Sequence, residues 1–173
     1  MVQAGGSAIT VRTARRDDLG AIDALLGASY PALLKHDYPP SILVTAIPLI
    51  SRAQPNLIAS GTYFVAEAED GALVAAGGWT RGAPPGGHAD AKVGHIRHVV
   101  TDYRRTRQGI GRRLMRVIIE DAQVAGMARL DCMSTLTAEA FYQSCGFRTL
   151  GDVAVPLRQG ITFPAKSMTM EIG

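Results

Sequence analysis

The chain has 173 residues, with 18 Lys and Arg against 15 Asp and Glu, a net charge of +3. Hydrophobic residues make up 47% and charged residues 19%, which excludes a disordered chain. One domain spanning 1–173 is predicted, burying roughly 70% of its unfolded surface without a disulfide or metal staple. No apolar run approaches the ~18–20 residues of a membrane span. The opening MVQAGGSAIT has no early basic residue and no long apolar core, so no export signal and a cytoplasmic location are expected. Cys132 and Cys145 are too few for a disulfide framework and read as thiols. Of His36, His88, His95 and His98 only the last two are close together, and no zinc spacing occurs, so no metal is expected.

The first predicted strand is Ala8–Arg12. Asp17 or Asp18 then stands where a helix N-cap belongs. Leu19, Ile22, Leu25, Leu26 and Ser29 follow at helical spacing, which predicts an amphipathic helix over 18–29 that ends or kinks at Pro31. Residues 31–60 are apolar but broken by Pro31, Pro39, Pro40, Pro48 and Pro55. Short helices joined by loops are expected there, one of them capped by Ser41 and running through Ile42, Leu43, Ala46 and Ile47. Thr62–Glu67 and Ala72–Trp79 read as a hairpin around Glu69-Asp70-Gly71, and 81–91 as a loop. Val93–Thr101 is the next strand. Gly109–Ala125 is a strong helix, with Ile110, Leu114, Val117, Ile118, Ala122 and Ala125 on one stripe and Gly126 as its stop. Ala128–Met133 reads as a strand, Thr137–Ser144 as a short helix closed by Cys145-Gly146, and Phe147–Pro156 and Ser167–Ile172 as final strands. The order β-α-α-β-β-β-α-β-α-β-β is that of an α/β domain with a mixed sheet.

Val99–Leu114, VVTDYRRTRQGIGRRL, carries the chemistry. A predicted strand runs into a loop holding Gly109 and Gly111, then directly into a helix. Glycines let backbone N–H groups approach an anion, and the helix N-terminus adds partial positive charge. Arg104, Arg105, Arg107, Arg112 and Arg113 surround the spot, which describes a phosphate cradle. A P-loop is excluded, because no Gly-Lys-Ser/Thr occurs. A Rossmann fingerprint is excluded by the missing third glycine after Gly109-Ile110-Gly111. A bulky side chain at Gly109 or Gly111 is expected to fill the phosphate's place with the fold intact, provided φ is negative there.

Thr106-Arg107-Gln108-Gly109-Ile110-Gly111 is similar to the Gln/Arg-x-x-Gly-x-Gly/Ala segment of the GNAT superfamily of N-acetyltransferases. A second segment, Thr135-Leu136-Thr137-Ala138-Glu139-Ala140-Phe141-Tyr142-Gln143-Ser144-Cys145-Gly146-Phe147, resembles the family's Asn-x-x-Ala-x-x-x-Tyr-x-x-x-Gly-Phe. One helix and one strand intervene, as in the family. Thr106 departs from the usual Gln or Arg, and Thr135 from the common Asn. Backbone N–H groups hold the phosphates in this design, so Thr106 is compatible, with Arg105 or Arg107 supplying charge. Ser134 or Thr135 still offers a hydroxyl.

The resemblance implies a GNAT-like fold, a mixed sheet of about six to seven strands flanked by helices. It implies acetyl-CoA as cosubstrate and direct acetyl transfer to an amine in a ternary complex. The implied cofactor contacts are Val99, Val100, Thr101, Thr106, Arg107, Gln108, Gly109, Ile110, Gly111, Arg112, Thr135 and Tyr142. In the family the strand holding Val99–Thr101 splits from its neighbour, and its free backbone groups pair with the pantetheine arm. Tyr142 is the implied general acid, protonating the CoA thiolate as it leaves. His98 is the first candidate for the base, with His95, Glu67 or a water as alternatives. Neither cysteine has a nucleophile's surroundings. The resemblance is also compatible with a homodimer formed through the C-terminal strands.

The same cradle would serve a non-catalytic acyl-CoA-binding module, from which Tyr142 separates an enzyme. A nucleic-acid role for Arg104–Arg116 is disfavoured by the modest net charge and the lack of interleaved aromatics. No membrane partner is expected. The acceptor, a small-molecule or peptide amine, depends on residues 31–60 and 80–92, which carry no readable code. Trp79, Tyr103 and Tyr38 are open as pocket walls, Trp79 fitting packing better.

Overall fold

The computed structural model of the chain describes residues 8–82 and 90–173. His88 and most of the predicted 81–91 loop lie outside the described residues. The strands are β1 (Ile9–Thr13), β2 (Tyr63–Ala68), β3 (Leu73–Thr80), β4 (Val93–Thr101), β5 (Arg129–Ser134), β6 (Arg148–Arg158) and β7 (Ile161–Glu171). The helices are α1 (Leu19–Leu34), α2 (Pro40–Ile50), α3 (Pro55–Ile58), α4 (Ile110–Val124) and α5 (Glu139–Ser144). The strands form one sheet in the order β1-β2-β3-β4-β5-β7-β6. Among the described residues, β4 and β5 pair in parallel and the other pairs are antiparallel.

Alternation along β2 sets the two faces of the sheet. Phe64 and Ala66 bury against the α4 stripe of Ile110, Leu114, Met115, Ile118 and Ala122. Tyr63 and Val65 bury on the other face with Ile22, Leu25 and Leu26 of α1 and Leu57 and Ile58 of α3. Beyond β5, Ala46 and Ile47 of α2 pack with Phe163 and Ala165 of β7. Gly126, at φ +86, stops α4 as expected.

Several expectations are corrected. Pro31 does not end α1, which runs on to Leu34 with Pro31 inside it; burial of Leu34 holds the last turn in place. Ser41 does not cap α2. Pro40 occupies its first turn, where its preset φ suits the helix and no N–H is needed. Asp18 caps α1 with no side-chain bond. Its carboxylate instead receives both Nη atoms of Arg12, at 2.8 and 2.9 Å, and the Arg15 N–H at 2.7 Å. The last hairpin is longer than predicted, since β7 begins at Ile161 rather than Ser167. It lies between β5 and β6, which covers the β5 edge.

Candidate active site

The pairing of β4 with β5 covers only Val93–His95 against Arg129–Asp131. Past that point β4 continues beside β3 up to Thr101, and β5 beside β7 up to Ser134. Each strand therefore turns one unpaired edge toward the other. The opening leads into a cavity of about 710 Å³. Opposite Gly77 of β3, β4 carries an extra residue: Ala76 pairs with Val100 and Gly78 with Arg97, leaving His98 and Val99 against one glycine. This bulge puts His98 at φ +48, a strained conformation for a side-chain residue. Gly77 makes room for it, because a Cβ there would sit 2.7 Å from Val99 Cγ2. The Tyr63 hydroxyl donates to the His98 carbonyl at 2.9 Å and Tyr30 to the Val99 carbonyl at 3.4 Å. The bulge is thus clamped from the α1 face.

One end of the cavity is the α4 N-terminus. Arg107 and Gly109 both take left-handed φ, +63 and +76, which turns the chain into the helix. Arg113 is the first helix residue whose N–H finds a carbonyl, that of Gly109 at 3.1 Å, so the amides before it face outward as donors. Gly111 keeps the floor clear: a Cβ there would meet the Phe141 ring at 3.1 Å and Thr101 Oγ1 at 3.3 Å. The arginines divide. Arg105, Arg107 and Arg112 line the cavity. Arg104 pairs with Asp102, and Arg113 donates to the Ile9 carbonyl at 2.6 Å.

Tyr142, on α5, is buried and lines the cavity from below the splay. It packs edge-on against Phe141 and Phe147. Its phenol and the Cys132 thiol line the same cavity and perturb each other's titration. Burial pushes the Tyr142 phenol well above its ordinary pKa and the Cys132 thiol up to about 12. Both stay protonated at neutral pH, so the phenol is a hydrogen-bond donor and Cys132 is no nucleophile. Thr135 Oγ1 accepts the Ala138 N–H at 3.1 Å and starts the turn into α5.

Behind His98, the Gln54 amide nitrogen stands 3.2 Å from His98 Nε2, and its carbonyl oxygen accepts from Arg97 Nη2 at 3.4 Å; of the three only His98 lines the cavity. Because Arg97 can only donate, the amide oxygen must face it and the NH₂ must face His98. His98 Nε2 is therefore the acceptor and Nδ1 carries the proton, buried without a partner. Desolvation, reinforced by Arg97, lowers the His98 pKa to about 4.

The acetyltransferase (GNAT) domain family matches residues 59–149, more than half of the chain. The chain belongs to the GNAT acetyltransferase family. It is similar to the PaiA N-acetyltransferase of Thermoplasma acidophilum, solved in complex with coenzyme A. That likeness has a TM-score of 0.73 at 14% identity, over 95% of this chain and 99% of that one. A GCN5-related N-acetyltransferase from Rhodopseudomonas palustris matches with a TM-score of 0.74 at 18% identity, over 99% and 98% of the two chains. The probable glucosamine 6-phosphate N-acetyltransferase 2 of Oryza sativa subsp. japonica is 41% identical over 58 residues, 32% of this chain. The chain matches about a third, 34%, of that curated relative's length.

The GNAT fold brings most of the sequence-derived residues to one cavity. His98, Val99, Val100, Thr101, Thr106, Arg107, Gly109, Ile110, Gly111, Arg112, Thr135 and Tyr142 all line it. Gln108 does not; it is exposed in the turn before α4. His95 is buried where β4 still pairs with Asp131 of β5. Glu67 receives Arg12 Nε at 2.8 Å, away from the lining. Tyr38 is stacked on Phe163 and donates to the Pro164 carbonyl at 2.7 Å, so it fixes the fold. Trp79 is core, its indole N–H donating to Asp121 at 2.8 Å. Tyr103 is exposed. The fold-neutral reading of a Gly109 replacement fails, because φ +76 strains any side chain there; Gly111, with no such φ, is the cleaner position. Sequence reasoning missed Gln54, Tyr63, Gly77 and the cavity-facing Tyr30 and Cys132. Their signals are tertiary contacts between distant segments.

Proposed function

We propose that this chain, as one acetyltransferase domain, transfers the acetyl group of acetyl-CoA directly to a primary amine in a ternary complex. The observation that carries the reading is convergence: the glycine-and-arginine cradle, the unpaired β4 edge and the Tyr142 hydroxyl share one cavity. The CoA phosphates take the α4 N-terminus with Arg105, Arg107 and Arg112. The pantetheine arm lies along Val99–Thr101 as an added strand. The thioester then rests near the apex of the splay. The amine nitrogen attacks the acetyl carbon, the C–N bond forms, and the C–S bond breaks with its electron pair on sulfur. Tyr142 donates a hydrogen bond to that sulfur. The burial that raises the phenol also raises a thiolate formed beside it, so proton transfer between them stays matched.

His98, neutral at working pH, receives the proton lost by the nitrogen, directly or through water. Attack places positive charge on that nitrogen, which lets even a weak base take the proton. Two free thiols suit a reducing cytoplasm, and no helix among the described residues is long and apolar enough to cross a membrane. The rice relative's name makes an amino sugar phosphate one acceptor to test.

The test incubates the protein with acetyl-CoA and a panel of primary amines while free CoA thiol is followed. Acceptor-dependent thiol release is expected. Tight acetyl-CoA binding with no release for any amine would reassign the chain to a non-catalytic acyl-CoA-binding module.

A further inference from the structure

Arg97 lies partly buried on β4, immediately before His98. Its Nη1 reaches Thr80 Oγ1 and its Nη2 reaches Gln54 Oε1, each at 3.4 Å, long for hydrogen bonds and both to neutral groups. Among the described residues no carboxylate pairs with it. Segments 1–7 and 83–89 contain no Asp or Glu. A partly desolvated guanidinium without a counter-charge is unfavourable until an anion joins it. The other arginines near the site are accounted for, either by the cradle at the far end of the cavity or by fixed protein partners. Among the described lining residues there is no Asp or Glu. A polyamine or other polycation would therefore find no counter-charge there, only arginines and a histidine.

We propose that Arg97 is the acceptor-anion site, so that the amine accepting the acetyl group carries a carboxylate or phosphate. This rests on the acetyl-transfer reading above and narrows its acceptor class. The oxyanion replaces the Gln54 carbonyl on the guanidinium, whose planar fork matches two oxygens at once. The amine is then held beside His98, at the apex of the splay. The exchange has a second consequence. Gln54 loses the contact that orients its amide, its hold on His98 Nε2 is released, and the imidazole lone pair is exposed to the bound acceptor.

The test is calorimetric titration of the full chain, saturated with CoA, with matched ligand pairs. The pairs are β-alanine and its amide, O-phosphoethanolamine and ethanolamine, and glucosamine 6-phosphate and glucosamine. In at least one pair the anionic member should bind about 10- to 100-fold tighter, the span of one charge-assisted hydrogen bond. The pair with the larger ratio tells carboxylate from phosphate. Arg97→Gln should bring that ratio close to one, and Arg97→Lys should keep part of it. Ratios near one in every wild-type pair would overturn the proposal, as would a ratio that survives Arg97→Gln. The wild-type comparison decides even if a variant fails to fold. Acetyl-CoA binding and thiol release, measured separately, fail only if the acetyl-transfer reading itself is wrong.

Discussion

The two ends of the cavity are built on opposite plans. At the α4 end, a contiguous loop presents main-chain amides, opened by Gly109 and Gly111 and surrounded by arginines. At the His98 end, side chains from α1, β2, β4 and the residue before α3 converge on a strained bulge, linked by single hydrogen bonds. A main-chain cradle recognises what all acyl-CoA molecules share, because phosphate needs only donors and positive potential. A side-chain network recognises what differs between acceptors. The cofactor end is therefore expected to tolerate changes of charge better than of shape, and the acceptor end the reverse.

That contrast is sharpest at Tyr142, which stands between the two ends. Tyr142→Phe keeps the ring against Phe141 and Phe147 and removes only the hydroxyl. Turnover should fall by ~10–10³ with acetyl-CoA affinity nearly unchanged, since the hydroxyl matters as charge develops on sulfur. Single-turnover transfer beside a melting curve measures this. Unchanged transfer with a lowered melting temperature would leave Tyr142 a packing residue. Next in size is Gly111→Val. Its side chain would push on Phe141 and Thr101 at the cradle floor, so CoA should bind more weakly, and overpacking should lower stability by ~1–3 kcal/mol. Titration with CoA checks it, and wild-type affinity would place the phosphates elsewhere.

The smallest effect belongs to the acceptor end. Desolvation, reinforced by Arg97, lowers the folded pKa of His98 to about 4, below its unfolded value near 6.5. The unfolded chain then binds the proton first, so stability should decline as pH falls from about 6.5 toward about 4 and be indifferent to His98 above that window. An imidazole NMR titration should find the His98 midpoint near 4; a midpoint near 6.5 would dissolve the Gln54–His98 arrangement.

The cradle was legible because its residues are consecutive and its glycines are required by local geometry. Arg107 at positive φ and the exposure of Gln108 were not, since both follow from how the turn meets α4. The succession of strands and of the longer helices along the chain was readable. The length of the β6–β7 hairpin was not, because Pro156 and Pro164 lie inside it and proline argues against a strand interior. The bulge at His98 was nearly invisible. A positive φ at His98 has no sequence signature, and Gly77, which makes it sterically feasible, sits in a run of small residues where nothing marks it out. Gln54 precedes a proline-started turn that reads as linker, and its bond to His98 spans 44 positions. Arg97 looks like any solvated strand cation until its surroundings are known.

The central claim is that the space between the splayed β4 and β5 is an acetyl-CoA site. The most direct measurement is the melting temperature of ligand-free protein with and without acetyl-CoA. Binding to the folded state alone should add ~2.7 kcal/mol at 100 times the dissociation constant, a clear upward shift. No shift at millimolar acetyl-CoA would contradict the claim.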